Sequence, residues 1–221
     1  MKIYVGLSRP KSPFKFFALL IRWSETPKSI LEPSTWFQVY KASHVFLAYP
    51  AHPKRGFFMV NEAVGVGVRW VAEGFFLDHA AIQGLYLFEL PENVYRAVKN
   101  YGDLMSGAPY PLLENLGIAY QRIVKWVLRK DVANPFDNNA SAIKCSELFF
   151  RALFNNEESL SLVKVKEDLL NEKGEYISAD EDSLGVRDSE LVLEWLVERG
   201  YCKRVSAIEP VQNSSGLTGA A

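Results

Sequence analysis

Lys144-Cys145-Ser146-Glu147-Leu148-Phe149-Phe150-Arg151-Ala152-Leu153 places a cysteine at the opening of an amphipathic helix. Counted from Cys145, the apolar residues Leu148, Phe149, Ala152 and Leu153 fall at i+3, i+4, i+7 and i+8, so the thiol shares the face that packs inward. A thiol in the first turn of a helix meets the positive end of the macrodipole and N–H groups that have no helical partner, and both favour thiolate. The stretch therefore predicts a helix that offers a nucleophile from its N-terminus. The plainer alternative is a core residue, since lone cysteines on apolar helical faces mostly just pack. A base supplied from elsewhere in the chain decides between the two.

The chain around this stretch has 221 residues, enough for one large domain, or one domain with an appendage, and a sizeable core. A hydrophobic fraction of 48% with 23% charged residues excludes general disorder. The net charge of −1 argues against a dedicated nucleic-acid binder. Charge is unevenly spread: residues 1–55 carry nine Lys/Arg against Glu25 and Glu32, and residues 155–190 carry eleven Asp/Glu against four Lys/Arg. The basic part admits an anionic partner, although a solvated basic face is the simpler explanation. Cys145 and Cys202 form no spaced cluster, so neither a disulfide framework nor a zinc site is expected, and a reducing compartment fits. The run Phe16-Phe17-Ala18-Leu19-Leu20-Ile21 ends early at Arg22 with no small-residue cleavage site, which reads as no signal peptide. No apolar run reaches the length of a spanning helix. These readings predict a soluble, cytoplasmic protein.

Taken in order, Met1-Lys2-Ile3-Tyr4-Val5-Gly6 alternates like a strand, and a short apolar helix is expected over Phe14–Trp23. His44-Val45-Phe46-Leu47-Ala48-Tyr49 reads as a strand, and Pro50 to Gly56 as a loop that returns the chain as a second strand, Phe57 to Val64. Symmetric closure of that hairpin pairs Tyr49 with Phe57 and sets His44 opposite Glu62, close enough for an imidazole to meet a carboxylate. A one-residue bulge destroys that arrangement. Further strands are expected over Gly65–Val71 and Ala81–Leu90, with Gly74 and Asp78 in the turn between them. Helices follow over Pro91–Met105, with Pro91 in the first helical position, and over Leu112–Arg129. Beyond the cysteine helix come a strand over Leu160–Val165 and a helix over Ser189–Arg199, with Asp188 as N-cap and Gly200 as the stop.

Nucleophilic catalysis by cysteine needs a base in reach and a third group to orient that base. His44, Glu62 and Cys145 supply the three chemical types. Ser43-His44-Val45 opens a strand, Glu62-Ala63 closes the next with Gly65-Val66 behind, Gly107-Ala108-Pro109-Tyr110 lies midway, and Cys145-Ser146-Glu147-Leu148 starts a helix. Together these words resemble the permuted NlpC/P60 papain-like hydrolases, in the branch of bacterial and phage-encoded proteins similar to YiiX. The resemblance covers about residues 1–155, and its specific words are those around His44 and Cys145. It implies an α+β, circularly permuted papain-like fold with an antiparallel sheet packed against helices. It also implies Cys145 as nucleophile, His44 as base and Glu62 as the residue that orients the base. Pro111 follows Tyr110 where relatives often carry an acid, which weakens any role the resemblance would pass to Tyr110 and leaves packing as the alternative.

The expected organisation is a permuted NlpC/P60-like domain over 1–155, a C-terminal α/β extension packed on it over 156–205, and a flexible tail over 206–221. The expected chemistry is acyl transfer from an amide, such as a peptidoglycan peptide, or from an acyl ester or thioester, with no cofactor and no metal. The alternative is a structural or binding protein on the same scaffold, such as a phage particle component, that docks a protein partner through its acidic C-terminal third. His52 in the hairpin loop reads as solvated, His79 as a poor second choice for the base, and Cys202 as structural or merely exposed. Gly65-Val66-Gly67 is no dinucleotide fingerprint, because the third glycine and the following helix are missing.

Overall fold

The alternating residues at the start of the chain form the middle of an antiparallel sheet. A computed structural model describes residues 1–12, 16–25, 39–50, 58–111, 142–154, 167–171 and 185–208, with scattered positions between 116 and 135. Its strands are β1 (Lys2–Pro10), β2 (His44–Pro50), β3 (Phe58–Val64), β4 (Gly67–Ala72), β5 (Ala80–Glu89) and β6 (Lys203–Arg204). They join in the order β4-β3-β2-β1-β5-β6, and each neighbouring pair is antiparallel. Its helices include α1 (Phe16–Glu25), α2 (Glu73–His79), α3 (Glu92–Leu104), α4 (Cys145–Phe154) and α5 (Val186–Glu198). This is an α+β architecture, and among the described residues no helix is long and apolar enough to cross a membrane.

The two faces of the sheet feed separate cores, as a period of two residues requires. Ile3, Val5 and Leu7 of β1 and Val45, Leu47 and Tyr49 of β2 pack in one cluster with residues of α3, α4 and α5. Tyr4, Phe46, Ala48, Phe58 and Val60 face the other way, against Phe76 of α2. Phe46 lies over Gly6, its register partner on β1, where a Cβ would overlap the ring. On its other side the ring centroid is 4.5 Å from that of Phe76. Phe46 is thus fixed between a missing side chain and an aromatic wall, beside the strand positions that carry the site.

Three local expectations need correction. The predicted turn at Gly74–Asp78 is the helix α2. It buries Phe76, and His79 stacks on Phe75 with centroids 4.5 Å apart. Seven residues with one buried anchor are too few to show a helical period in the sequence. Pro91 is the N-cap of α3 and not its first residue; its carbonyl accepts from Tyr95 N–H at 2.9 Å. The last helix starts earlier than Ser189, with Gly185 as N-cap, and Asp188 reaches back from the third position to accept Gly185 N–H at 2.7 Å. That reciprocal placement uses Asp188 for capping without making it the cap.

The described positions between 116 and 128 are helical. The expected strand over Leu160–Val165, His52 and the tail from 209 onward lie outside the described residues. The C-terminal segment 185–208 is built into the same architecture as the first 155 residues. Val192, Leu193, Trp195 and Leu196 of α5 join the core that holds α4, and β6 pairs with β5 at Tyr86↔Arg204 and Leu87↔Lys203.

Candidate active site

The chain enters the cysteine helix along a braced path. Gly107, at a φ of 88° that favours glycine, lets the backbone turn so that Gly107 N–H and Ala108 carbonyl bond Val68 of β4 at 2.8 and 2.9 Å. Pro109 carbonyl then accepts Ile143 N–H at 2.9 Å, two residues before the cysteine. The midway motif thus ties the approach to α4 to the edge strand of the sheet. Lys144 carbonyl accepts Leu148 N–H at 2.9 Å, which makes Lys144 the N-cap and Cys145 the first helical residue. Glu147, three residues past the cap, accepts Lys144 N–H at 3.4 Å and pairs with Arg151 one turn on at 2.7 Å. Cys145 is 4% exposed, as its position on the packed face predicts.

The hairpin brings His44 and Glu62 together by a different register from the symmetric one. Phe46, not His44, is opposite Glu62, because the strands pair at Pro50↔Phe58, one residue further along each strand than the expected Tyr49–Phe57 pair. Pro50 remains in the strand because the end of a ladder tolerates a missing N–H. The pairing sum changes by two, an even number, so every side chain keeps its face. His44 and Glu62 become diagonal neighbours, roughly 7 Å apart at the backbone and still within reach of two long side chains. His44 Nε2 lies 3.1 Å from Glu62 Oε2.

The His44 side chain also hydrogen-bonds Cys145. The thiolate also accepts backbone N–H bonds from Val45 and Ser146. Burial opposes ionisation of the thiol, but the His44 bond and charge and the two N–H groups outweigh it, and the Cys145 pKa falls below the ordinary thiol value. Burial likewise opposes charge on His44. Its hydrogen bonds to Cys145 and Glu62 and their negative charges win, and its pKa rises from 6.5 to about 10. Both directions favour the thiolate–imidazolium form of the pair over the neutral form.

Glu62 is itself held ionised. Burial pushes its pKa up, and His44 first and Arg69 second bring the net value below the usual carboxylate range. The oxygens divide the work: Oε2 faces His44, and Oε1 accepts from Arg69 Nε at 2.9 Å and Nη2 at 2.7 Å. Arg69 is the direct cross-strand partner of Glu62 on β4, and its guanidinium lies 5.2 Å from the Phe75 ring centroid of α2. Sequence reasoning missed Arg69, although a signal existed. Gly65-Val66 is a two-residue turn, and closing β3 on β4 there sets Glu62 opposite Arg69.

The other candidates are elsewhere or occupied. His79 Nδ1 is 2.8 Å from Phe75 carbonyl oxygen at the end of α2. Cys202, expected to be structural or exposed, is 4% exposed and directs its Sγ to Leu193 carbonyl at 3.8 Å. Tyr110 packs at the margin of the main core. Among the described residues no group of three His, Cys, Asp or Glu side chains is placed to hold a metal ion. Comparison with protein-family models, curated proteins and solved structures finds no match to the chain.

Proposed function

We propose that the chain is a thiol hydrolase of the permuted NlpC/P60 papain-like type, acting by acyl transfer through Cys145. One observation carries the reading: a single imidazole, that of His44, hydrogen-bonds the thiol and at the same time holds a carboxylate at 3.1 Å. A core cysteine has no need of that arrangement. The family resemblance supports the same roles from the sequence words around His44 and Cys145.

In the proposed reaction the Cys145 thiolate attacks the carbonyl carbon of an amide, ester or thioester, and the carbonyl π pair moves onto oxygen. Backbone N–H groups at the start of α4 are suited to receive that oxyanion. As the intermediate collapses, the bond to the leaving group breaks and the His44 imidazolium gives it a proton. Neutral His44 then takes a proton from water, whose oxygen attacks the thioester, and the thiolate leaves as the acid forms. Glu62 keeps the ring oriented and stabilises its charge. Peptidoglycan peptides and lipid-like acyl esters are the substrate classes that fit the resemblance, with the cytoplasm or a phage particle as the setting.

A second reading, a binding protein with a dormant site, draws on the 4% exposure of Cys145, which leaves a substrate little access to the sulfur. Mass spectrometry after incubation with an activated acyl ester separates the two. The hydrolase reading expects an acyl adduct on Cys145 that decays with time and is absent in Cys145→Ser. A wild-type protein with no adduct at Cys145 between pH 6 and 9 would sink it.

A further inference from the structure

We propose that the Ser8 hydroxyl is a further catalytic group of the site at Cys145, which holds the leaving-group atom beside His44 and then the water that takes its place. The proposal rests on the thiol-hydrolase reading and extends it to the residue that orients the second half of the reaction.

Four neighbouring strands build a polar row across one end of the sheet. Arg69 of β4 is opposite Glu62 of β3, Glu62 reaches diagonally to His44 of β2, and His44 is directly opposite Ser8 of β1. Directly opposed residues project from the same face, with Cβ atoms roughly 5 Å apart. That face is otherwise apolar, carrying Tyr4, Phe46, Ala48, Phe58 and Val60. Arg69 gives Glu62 two hydrogen bonds, and Glu62 meets a ring nitrogen of His44. Ser8, at the end of the row, is 1% exposed, and its Oγ has no hydrogen-bond partner among the described residues.

A serine hydroxyl can both donate and accept, and burying one that does neither costs stability. The backbone of Ser8, by contrast, is in use: its carbonyl accepts Ser43 N–H at 3.0 Å, which fixes the residue before His44. On the other side of β1 the ladder is interrupted. Leu7 pairs with Gly84 and Ser8 with Ile82, so Gln83 of β5 is bulged out beside Ser8. Bulges gather next to active sites, where they re-aim a side chain. The strand order puts β3 on one side of β2 and β1 on the other, so Glu62 and Ser8 flank the base from opposite sides.

The chemistry defines what such a hydroxyl receives. His44 gives a proton to the leaving atom and later takes one from water in the same place. Of the two water protons, one passes to His44; the other stays on the oxygen and is donated in a hydrogen bond to Ser8 Oγ. The water lone pair then attacks the thioester carbon, the Cys145 thiolate leaves, and the acid remains. Holding the second O–H fixes the direction of that lone pair.

The test is to acylate wild type and Ser8→Ala with 4-nitrophenyl acetate and follow the Cys145 adduct by mass spectrometry. The adduct is expected to decay about tenfold more slowly in Ser8→Ala, the loss of one hydrogen bond. The melting temperature should hold or rise, because the variant removes a buried hydroxyl that has no partner. Iodoacetamide labelling of Cys145 against pH should coincide in the two proteins. Hydroxylamine, a nucleophile that needs no general base, should clear both adducts at equal rates. Equal decay in water overturns the proposal. So does slow decay joined by a lower melting temperature, a displaced labelling profile or slow clearance by hydroxylamine, each of which makes Ser8 a packing residue. A wild type that forms no adduct removes the hydrolase and this proposal together, whereas an adduct that decays alike in both proteins removes only the role of Ser8.

Discussion

The two cysteines are equally hidden and electrostatically opposite. Cys145 and Cys202 are each 4% exposed. Burial acts on both in the same direction, raising the thiol pKa. At Cys202 burial acts with the Glu194 charge behind it, and the pKa is pushed up to about 12. At Cys145 a protonated imidazole and two backbone N–H groups overcome burial and bring it down. Solvent exposure therefore says nothing about which thiol reacts; the charges and donors facing each sulfur do.

That contrast can be broken most directly by alkylation. With iodoacetamide at pH 7, Cys145 is expected to label at least about 100-fold faster than Cys202, counted by peptide mass spectrometry, because the Cys145 pKa is lowered and that of Cys202 is raised, and the lower intrinsic nucleophilicity of Cys145 offsets little of that gain. Equal labelling would end the comparison. A smaller but still large effect is expected from His44→Ala, which leaves burial as the main influence on the Cys145 thiol. Labelling of Cys145 at pH 6.5 should fall by about tenfold or more while Cys202 is unchanged. A fall at both positions would report unfolding instead.

The pH profile sharpens the pairing. Labelling of Cys145 should rise on an acid limb below the ordinary thiol range, and hydrolysis should fall on an alkaline limb near 10, where His44 loses its proton. For stability the sign follows from the raised His44 pKa: its contribution is full below 6.5 and is lost as pH rises through about 10. The gap in melting temperature between wild type and His44→Ala should narrow over that span.

Glu62→Gln removes the charge that supports the imidazolium, and its hydrolysis profile should lose rate about tenfold with the alkaline limb shifted to lower pH. The smallest effect belongs to Arg69→Met, which frees Glu62 Oε1 but leaves Oε2 on His44. A few-fold loss in kcat, with the alkaline limb moved up because a cation beside the pair is gone and with KM little changed, marks Arg69 as a positioning residue. A merely structural Arg69 would lower the melting temperature and leave the pH profile in place.

Much of this was legible along the chain. The helix at Cys145 and the strands carrying His44 and Glu62 follow from apolar spacing, and the even slip of register preserved the face on which His44 and Glu62 meet. Short elements were not legible, since α2 owes its existence to Phe76 docking on the sheet and not to a repeated pattern. Arg69 was hidden because its role depends on pairing across a second hairpin, where Gly65-Val66 was read as part of a strand.

By itself the sequence determined the local elements and the chemical types available: a thiol at a helix start, an imidazole at a strand start and a carboxylate on the returning strand. Spacing along a chain sets local periodicity, and local periodicity sets which face each side chain takes. Tertiary structure alone decided that one imidazole contacts both the thiol and the carboxylate, that Arg69 completes the carboxylate's bonds, and that Cys202 has no such partners. The reason is physical: a pKa depends on donors and charges within a few ångströms, and packing brings those from residues far apart in the chain.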